Sequence, residues 1–125
     1  MKKNSLAVVV LALTLASCYN QERNCTDYKT GKFEFVQEID GQEKKSVFER
    51  TENLQIETFD GKTDTASVRW VNDCEFVLQK LHPKNMQEKK AIGMKILTTS
   101  DKGYTFEYAF VGDAKKQRGT VTKIE

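Results

Sequence analysis

Four aromatic residues at a period of two, Tyr104, Phe106, Tyr108 and Phe110, form the stretch of this chain with the most chemical content. That spacing puts all four rings on one face of a strand. With Trp70 and Phe76 they could line an apolar ligand cavity. Alternatively they fill a core, each ring burying on the order of 150–250 Å². The two tyrosines keep the cavity reading open, because a buried hydroxyl must find a polar partner. No acid, base and nucleophile accompany them. His82, the sole histidine, stands in a turn before Pro83 with no nucleophile at a recognisable spacing. The stretch Asp60-Gly61-Lys62-Thr63-Asp64 has the look of a calcium loop. It lacks the remaining oxygen ligands and the distal glutamate, and a hairpin turn explains it. Lys84, Lys89 and Lys90 could touch anionic lipid headgroups, or simply be a solvated turn. The chain is therefore read as a binding protein and not an enzyme, with no catalytic residue, no cofactor and no metal expected.

The N-terminus sets the compartment. Lys2 and Lys3 precede an apolar run from Leu6 to Ala16 that ends at Leu15-Ala16-Ser17-Cys18. The run is too short to span a hydrocarbon core of about 30 Å, which takes roughly 20 residues, and it fits a cleaved export signal over residues 1–17. Leu15-Ala16-Ser17-Cys18 resembles the lipobox of bacterial lipoproteins. In that family the cysteine thiol receives diacylglycerol, a peptidase cuts before it, and the freed amine takes a fatty acyl chain such as palmitate. The resemblance implies that Cys18 is the lipidated first residue and the membrane anchor. One chain holds marginally, whereas two or three hold durably without a transmembrane helix. A plain signal peptide followed by an unmodified cysteine is the alternative. In lipoprotein sorting, Asp after the cysteine favours inner-membrane retention. Tyr19 therefore points to the outer membrane of the envelope, with the protein facing the periplasm.

With Cys18 consumed, Cys25 and Cys74 remain, and in an oxidising compartment two thiols brought together by the fold should form a disulfide. Such a bridge closes a loop of about 50 residues, worth roughly 4 kcal/mol in the chain-entropy model. Two unpaired thiols, one or both buried, are the rival reading. A two-cysteine metal site is disfavoured, with a single histidine and no CxxC pair.

Charge excludes a class of partners. The chain has 20 Lys and Arg against 18 Asp and Glu. Loss of Lys2 and Lys3 with the signal leaves 18 against 18, so no basic excess remains to neutralise phosphates, and nucleic acid is not expected as a partner. Residues 18–125 are enough for one domain with one modest core.

The elements that must position these residues read as short strands between turn signals. Residues 18–29 are taken as the anchor and tether, of which the polar stretch 19–24 reaches about 20 Å when extended. Residues 30–125 are taken as a single β domain. Within it, Lys32–Ile39 alternates, Asp40-Gly41 is a tight turn, Ser46–Thr51 carries Val47 and Phe48, and Leu54–Phe59 puts Leu54 and Ile56 on one face. Asp60-Gly61 turns into Ala66–Val71, and Cys74–Leu81, Ala91–Thr98, Tyr104–Val111 and Arg118–Ile124 complete about eight strands. Residues 83–90 could form one or two helical turns with Pro83 first. Connections this short demand an antiparallel meander. Unpaired edges favour its closure into a small, closed or partly open, lipocalin-like barrel, with a two-sheet sandwich as the alternative.

Three further stretches carry a resemblance that covers the whole chain. They are Asn24-Cys25-Thr26-Asp27-Tyr28-Lys29-Thr30-Gly31-Lys32-Phe33, the run from Gly61 through Trp70 to Asn72-Asp73-Cys74-Glu75, and Lys116-Gln117-Arg118-Gly119-Thr120. The chain resembles a family of small envelope lipoproteins with no established activity, whose members are sometimes labelled DNA topoisomerase IV. The residues argue against that label, because the chain lacks the length, the phosphate-binding glycine loop and the charge. The expected function is a lipid-anchored domain that binds an apolar small molecule or an envelope component. The alternative is a protein-interaction or inhibitor module with a solid core.

Overall fold

The computed structural model describes residues 23–125. The export signal, the lipobox, Cys18 and Tyr19 lie outside the described residues. Eight strands follow in chain order: β1 (Gly31–Ile39), β2 (Gln42–Arg50), β3 (Leu54–Phe59), β4 (Lys62–Asn72), β5 (Glu75–Lys80), β6 (Ile92–Thr99), β7 (Gly103–Phe110) and β8 (Gln117–Lys123). Each pairs antiparallel with the next, and β8 returns to β1 through Phe33 opposite Lys123 and Phe35 opposite Val121, so the meander closes into a barrel. Closure removes the two sheet edges, although β1 and β8 pair only over Phe33 to Phe35. The sandwich is not formed.

The turn chemistry explains the register. Asp40-Gly41 and Asp60-Gly61 both take positive φ at each position, Asp40 at 53° and Gly41 at 78°, Asp60 at 50° and Gly61 at 75°. This is the two-residue hairpin geometry that matches strand twist. Because the turns are this tight, the ladders run to them. β2 therefore starts at Gln42 and β4 at Lys62, earlier than the apolar alternation indicates. The single helical feature between β5 and β6 is a 3-10 turn, Gln87–Lys89, that starts well after Pro83. Asn85 Oδ1 accepts from the Glu88 amide at 2.9 Å, while Glu88 Oε1 accepts from the Lys84 amide at 2.9 Å. Those two bonds tie Lys84 and Asn85 to Glu88 and hold the segment that leads into the turn.

The core is concentrated at one end. Phe33, Phe48, Ile96, Tyr104, Phe106 and Val121 are buried together with Cys25 and Tyr28 from a second 3-10 turn, Cys25–Tyr28. Residues 25–29, grouped with the tether in the sequence reading, thus form the plug of this end. Cys25 and Cys74 are joined as a disulfide with Cα atoms 5.2 Å apart, which ties the plug to the β4–β5 turn. Arg23 Nη1 donates to Ile96 O at 3.0 Å, the Asn24 amide donates to Thr99 Oγ1 at 2.9 Å, and Tyr28 Oη donates to Ser100 O. The described chain therefore enters at the closed end. The hairpins β1–β2, β3–β4, β5–β6 and β7–β8 surround the opposite end, the mouth.

Candidate functional site: a cup above a buried guanidinium

Inward-facing positions follow from the register. On β2 they are Lys44, Ser46, Phe48 and Arg50, and on β7 they are Tyr104, Phe106, Tyr108 and Phe110. On β3 the inward face is Gln55, Glu57 and Phe59, opposite Arg50, Phe48 and Ser46. The face that Leu54 and Ile56 share is the outer one, and Leu54 is exposed. β3 therefore presents its polar side to the barrel interior, against the usual sense of alternation.

Arg50 forms the floor. It is 1% exposed. Its Nη2 donates to Tyr28 O at 2.7 Å and to Tyr104 Oη at 3.0 Å, its Nε to Lys29 O at 3.2 Å, and its Nη1 to Gln55 Oε1 at 2.9 Å. The guanidinium lies 4.6 Å from the centroid of Phe76, 4.7 Å from Phe33 and 5.6–5.8 Å from Phe48, Trp70 and Tyr104. Among the described residues no carboxylate pairs with it. Neutral oxygens and ring faces carry the charge instead, a use suited to a planar, weakly hydrated cation. Burial pushes the Tyr104 hydroxyl pKa up, and the Arg50 charge and hydrogen bond offset part of that. Arg50 thus sees a neutral phenol at ordinary pH.

Above this floor lies a cavity of about 240 Å³ that opens at the mouth. Its apolar wall includes Phe35, Phe106, Tyr108, Leu78, Ile92 and Met94, and its polar wall is Gln37, Gln55, Glu57, Asp64 and Lys80. Phe35 meets Phe106 edge-on at 5.5 Å, and Phe106 lies 5.5 Å from Tyr108. Inward-facing Gly119 makes that pair of rings fit, because a Cβ there would stand 2.8 Å from both Phe35 and Phe106. Tyr108 Oη donates to Gln117 Oε1 at 3.0 Å.

Of the residues singled out from sequence, Tyr104, Phe106 and Tyr108 line the cavity. Trp70 and Phe76 lie below it, 4.4 Å apart beside Arg50, as core. Phe110 sits outside the cavity under Lys90, whose Nζ is 5.6 Å from the ring. His82 is exposed in the β5–β6 connection. Sequence reasoning missed Ser46, Arg50, Gln55 and Glu57. The available signal was parity, since Ser46 and Arg50 stand two residues either side of Phe48.

The charges of the polar wall are unevenly paired. Lys80 Nζ lies 3.1 Å from Asp64 Oδ2 and 3.7 Å from Glu88 Oε2. Burial works against its charge, but the two carboxylates outweigh that and raise its pKa. Glu57 has no ion-pair partner among the described residues. Its pKa is raised chiefly by burial, against the nearby Ser46 hydroxyl and Lys80, with Asp64 adding to the rise. Ser46 is 3% exposed, and its Oγ has no hydrogen-bond partner. It stands close enough to favour a charged Glu57, but makes no well-aligned hydrogen bond to it. Native interiors rarely leave such groups unpaired.

No family model, curated protein or solved structure matches this chain.

Proposed function

We propose that this chain is a lipid-anchored protein of the bacterial envelope whose barrel takes up a small, largely apolar molecule and performs no chemistry on it. The observation that carries the reading is the cup itself. A barrel end is sealed by a plug, a disulfide and a buried guanidinium, while the other end stays hollow between an aromatic wall and a narrow polar one. A solid interior would favour the surface-recognition alternative. The cavity is equivalent to about eight waters of liquid volume and lies just below the usual range of ligand pockets, about 300–1,000 Å³. The cargo is therefore about the size of a single substituted ring.

The lipobox-like Leu15-Ala16-Ser17-Cys18 supplies the anchor in this reading. Arg23 lies five positions after Cys18, a reach of about 18 Å at most, and Arg23 is at the closed end. The bilayer would then hold the plug, and the mouth would face away from it. Lys84, Lys89 and Lys90, at the mouth, would point into the periplasm and not toward the headgroups.

Every strand, the core and the disulfide lie within residues 25–125, so a chain starting at Tyr19 contains the whole folded unit. Its Met94 methyl and its Phe106 and Tyr108 ring protons should shift saturably on titration with toluene followed by NMR. Ala66→Leu, which projects into the cavity, should abolish those shifts while the protein stays folded. Wild-type spectra indifferent to toluene would refute the reading.

A further inference from the structure

We infer that the molecule the barrel takes up is a small amine, with its apolar body against Phe35, Phe106 and Tyr108 and its ammonium on the Glu57 carboxylate. The inference rests on the cavity reading above and adds the chemistry of the head group.

Three observations converge. First, Glu57 lines the cavity as a carboxylate that makes no ion pair among the described residues, while the adjacent lysine, Lys80, is already engaged by Asp64 and Glu88. Second, Ser46 Oγ is buried beside it without a partner. Ser46 and Glu57 are neighbours by register, since Phe48 faces Glu57 across the β2–β3 ladder and Ser46 precedes Phe48 by two on the same face. A carboxylate only accepts, and a serine hydroxyl has two lone pairs. An ammonium, with three donors and no acceptor, supplies the charge and the donors that the carboxylate lacks, and the Ser46 hydroxyl behind it adds to the preference for a charged Glu57. Third, Phe35, Phe48, Tyr104, Phe106 and Tyr108 make much of the wall aromatic, and ring faces attract cations. An anionic head would meet Glu57 and Asp64 as like charges, with the one lining lysine, Lys80, already shared between Asp64 and Glu88, and a neutral hydroxyl brings no charge to pair with Glu57. Size restricts the body to about one ring or a short chain, given about 240 Å³.

The test uses three probes of one shape on the chain from Tyr19, by calorimetric titration at pH 7: 2-phenylethylamine, 2-phenylethanol and phenylacetate. The amine should bind about tenfold more tightly than the alcohol, as a charge-assisted hydrogen bond implies, and phenylacetate should bind most weakly. Glu57→Gln, of the same shape, should bring the amine to within about threefold of the alcohol, with an unchanged far-ultraviolet spectrum as the check on folding. Phenylacetate binding as well as the amine in the wild-type protein would overturn the inference with no variant needed. So would a tenfold amine preference that survives Glu57→Gln. In either case saturable binding of the alcohol would leave the cavity reading standing. If none of the three saturates, both readings fall.

Discussion

Glu57 is a carboxylate placed where folding by itself gains nothing. Buried groups without partners cost stability in their charged form, and Glu57 keeps its place opposite Phe48 regardless. Its raised folded-state pKa fixes the sign of the pH effect. Below the ordinary glutamate value, near 4.5, the carboxyl is protonated in both folded and unfolded chains and costs little. As pH rises past that value the unfolded chain releases its proton first, so stability falls until the folded-state pKa is passed. The groups facing Glu57 are Ser46 from β2, Asp64 from β4 and Lys80 from β5, and burial outweighs the help that Ser46 and Lys80 give. Glu57→Gln should therefore be more stable than the wild type at pH 7, in urea unfolding followed by Trp70 fluorescence, and the gain should shrink toward pH 4. A gain independent of pH, or a loss at pH 7, would show that Glu57 is not a desolvated carboxylate. This residue and Arg50 were illegible in the sequence for the same reason. A charged side chain at a strand position reads as solvated unless the parity of its strand is fixed, and on β2 only Phe48 fixed it.

The strands themselves were largely legible, because alternation and turn residues act locally. Phe33 and Phe35 on β1, Ala66, Val68 and Trp70 on β4, Ile92, Met94 and Ile96 on β6, and the aromatic row on β7 all point inward as their period of two implies. β3 was not legible in the same way. Its apolar residues, Leu54 and Ile56, face outward because the two-residue Asp60-Gly61 turn fixes its register against β4. The polar wall of the cup results from that register. The plug was hidden too: Asn24 to Lys29 has no period to read, and its burial depends on Cys25 meeting Cys74. That bridge closes 49 residues of sequence, for which chain entropy gives about 4 kcal/mol. Cys25→Ala/Cys74→Ala should lose up to about 4 kcal/mol in urea unfolding, and reductant should lower the wild type to the same midpoint while leaving the variant unmoved. Equal midpoints for oxidised wild type and variant would mean that the noncovalent contacts of Arg23, Asn24 and Tyr28 hold the plug without the bridge.

At the scale of the molecule the barrel has two unlike halves on one continuous sheet. Lys32, Glu34, Glu38, Lys45, Glu49, Arg69, Lys95 and Glu107 stand on the outer face, alternating with the inward set, so the outer surface is charged and suits water. Inside, the closed half is ring on ring around Arg50, with Phe33 and Phe48 stacked at 5.1 Å and Tyr104 5.4 Å from Tyr28. The mouth half replaces that packing with the cavity and a polar wall. The β1–β2, β3–β4 and β6–β7 ladders run through both halves, whereas β1 meets β8 only from Phe33 to Phe35 and β2 meets β3 only from Ser46 on, so the mouth half has both fewer ladder bonds and less apolar burial to resist opening. Native-state hydrogen exchange should therefore divide single strands. The amides of Phe33, Phe48 and Tyr104 should exchange only through global unfolding. Those of Gln37, Lys44 and Tyr108, on the same three strands, should exchange by smaller openings with weak dependence on urea. Uniform protection along β1, β2 and β7 would mean that the cavity has no energetic consequence and that the barrel opens as one unit. Division at the level of Phe35 and Phe106 would place the softest part of the fold around the cup, where an entering molecule has the most to gain by ordering it.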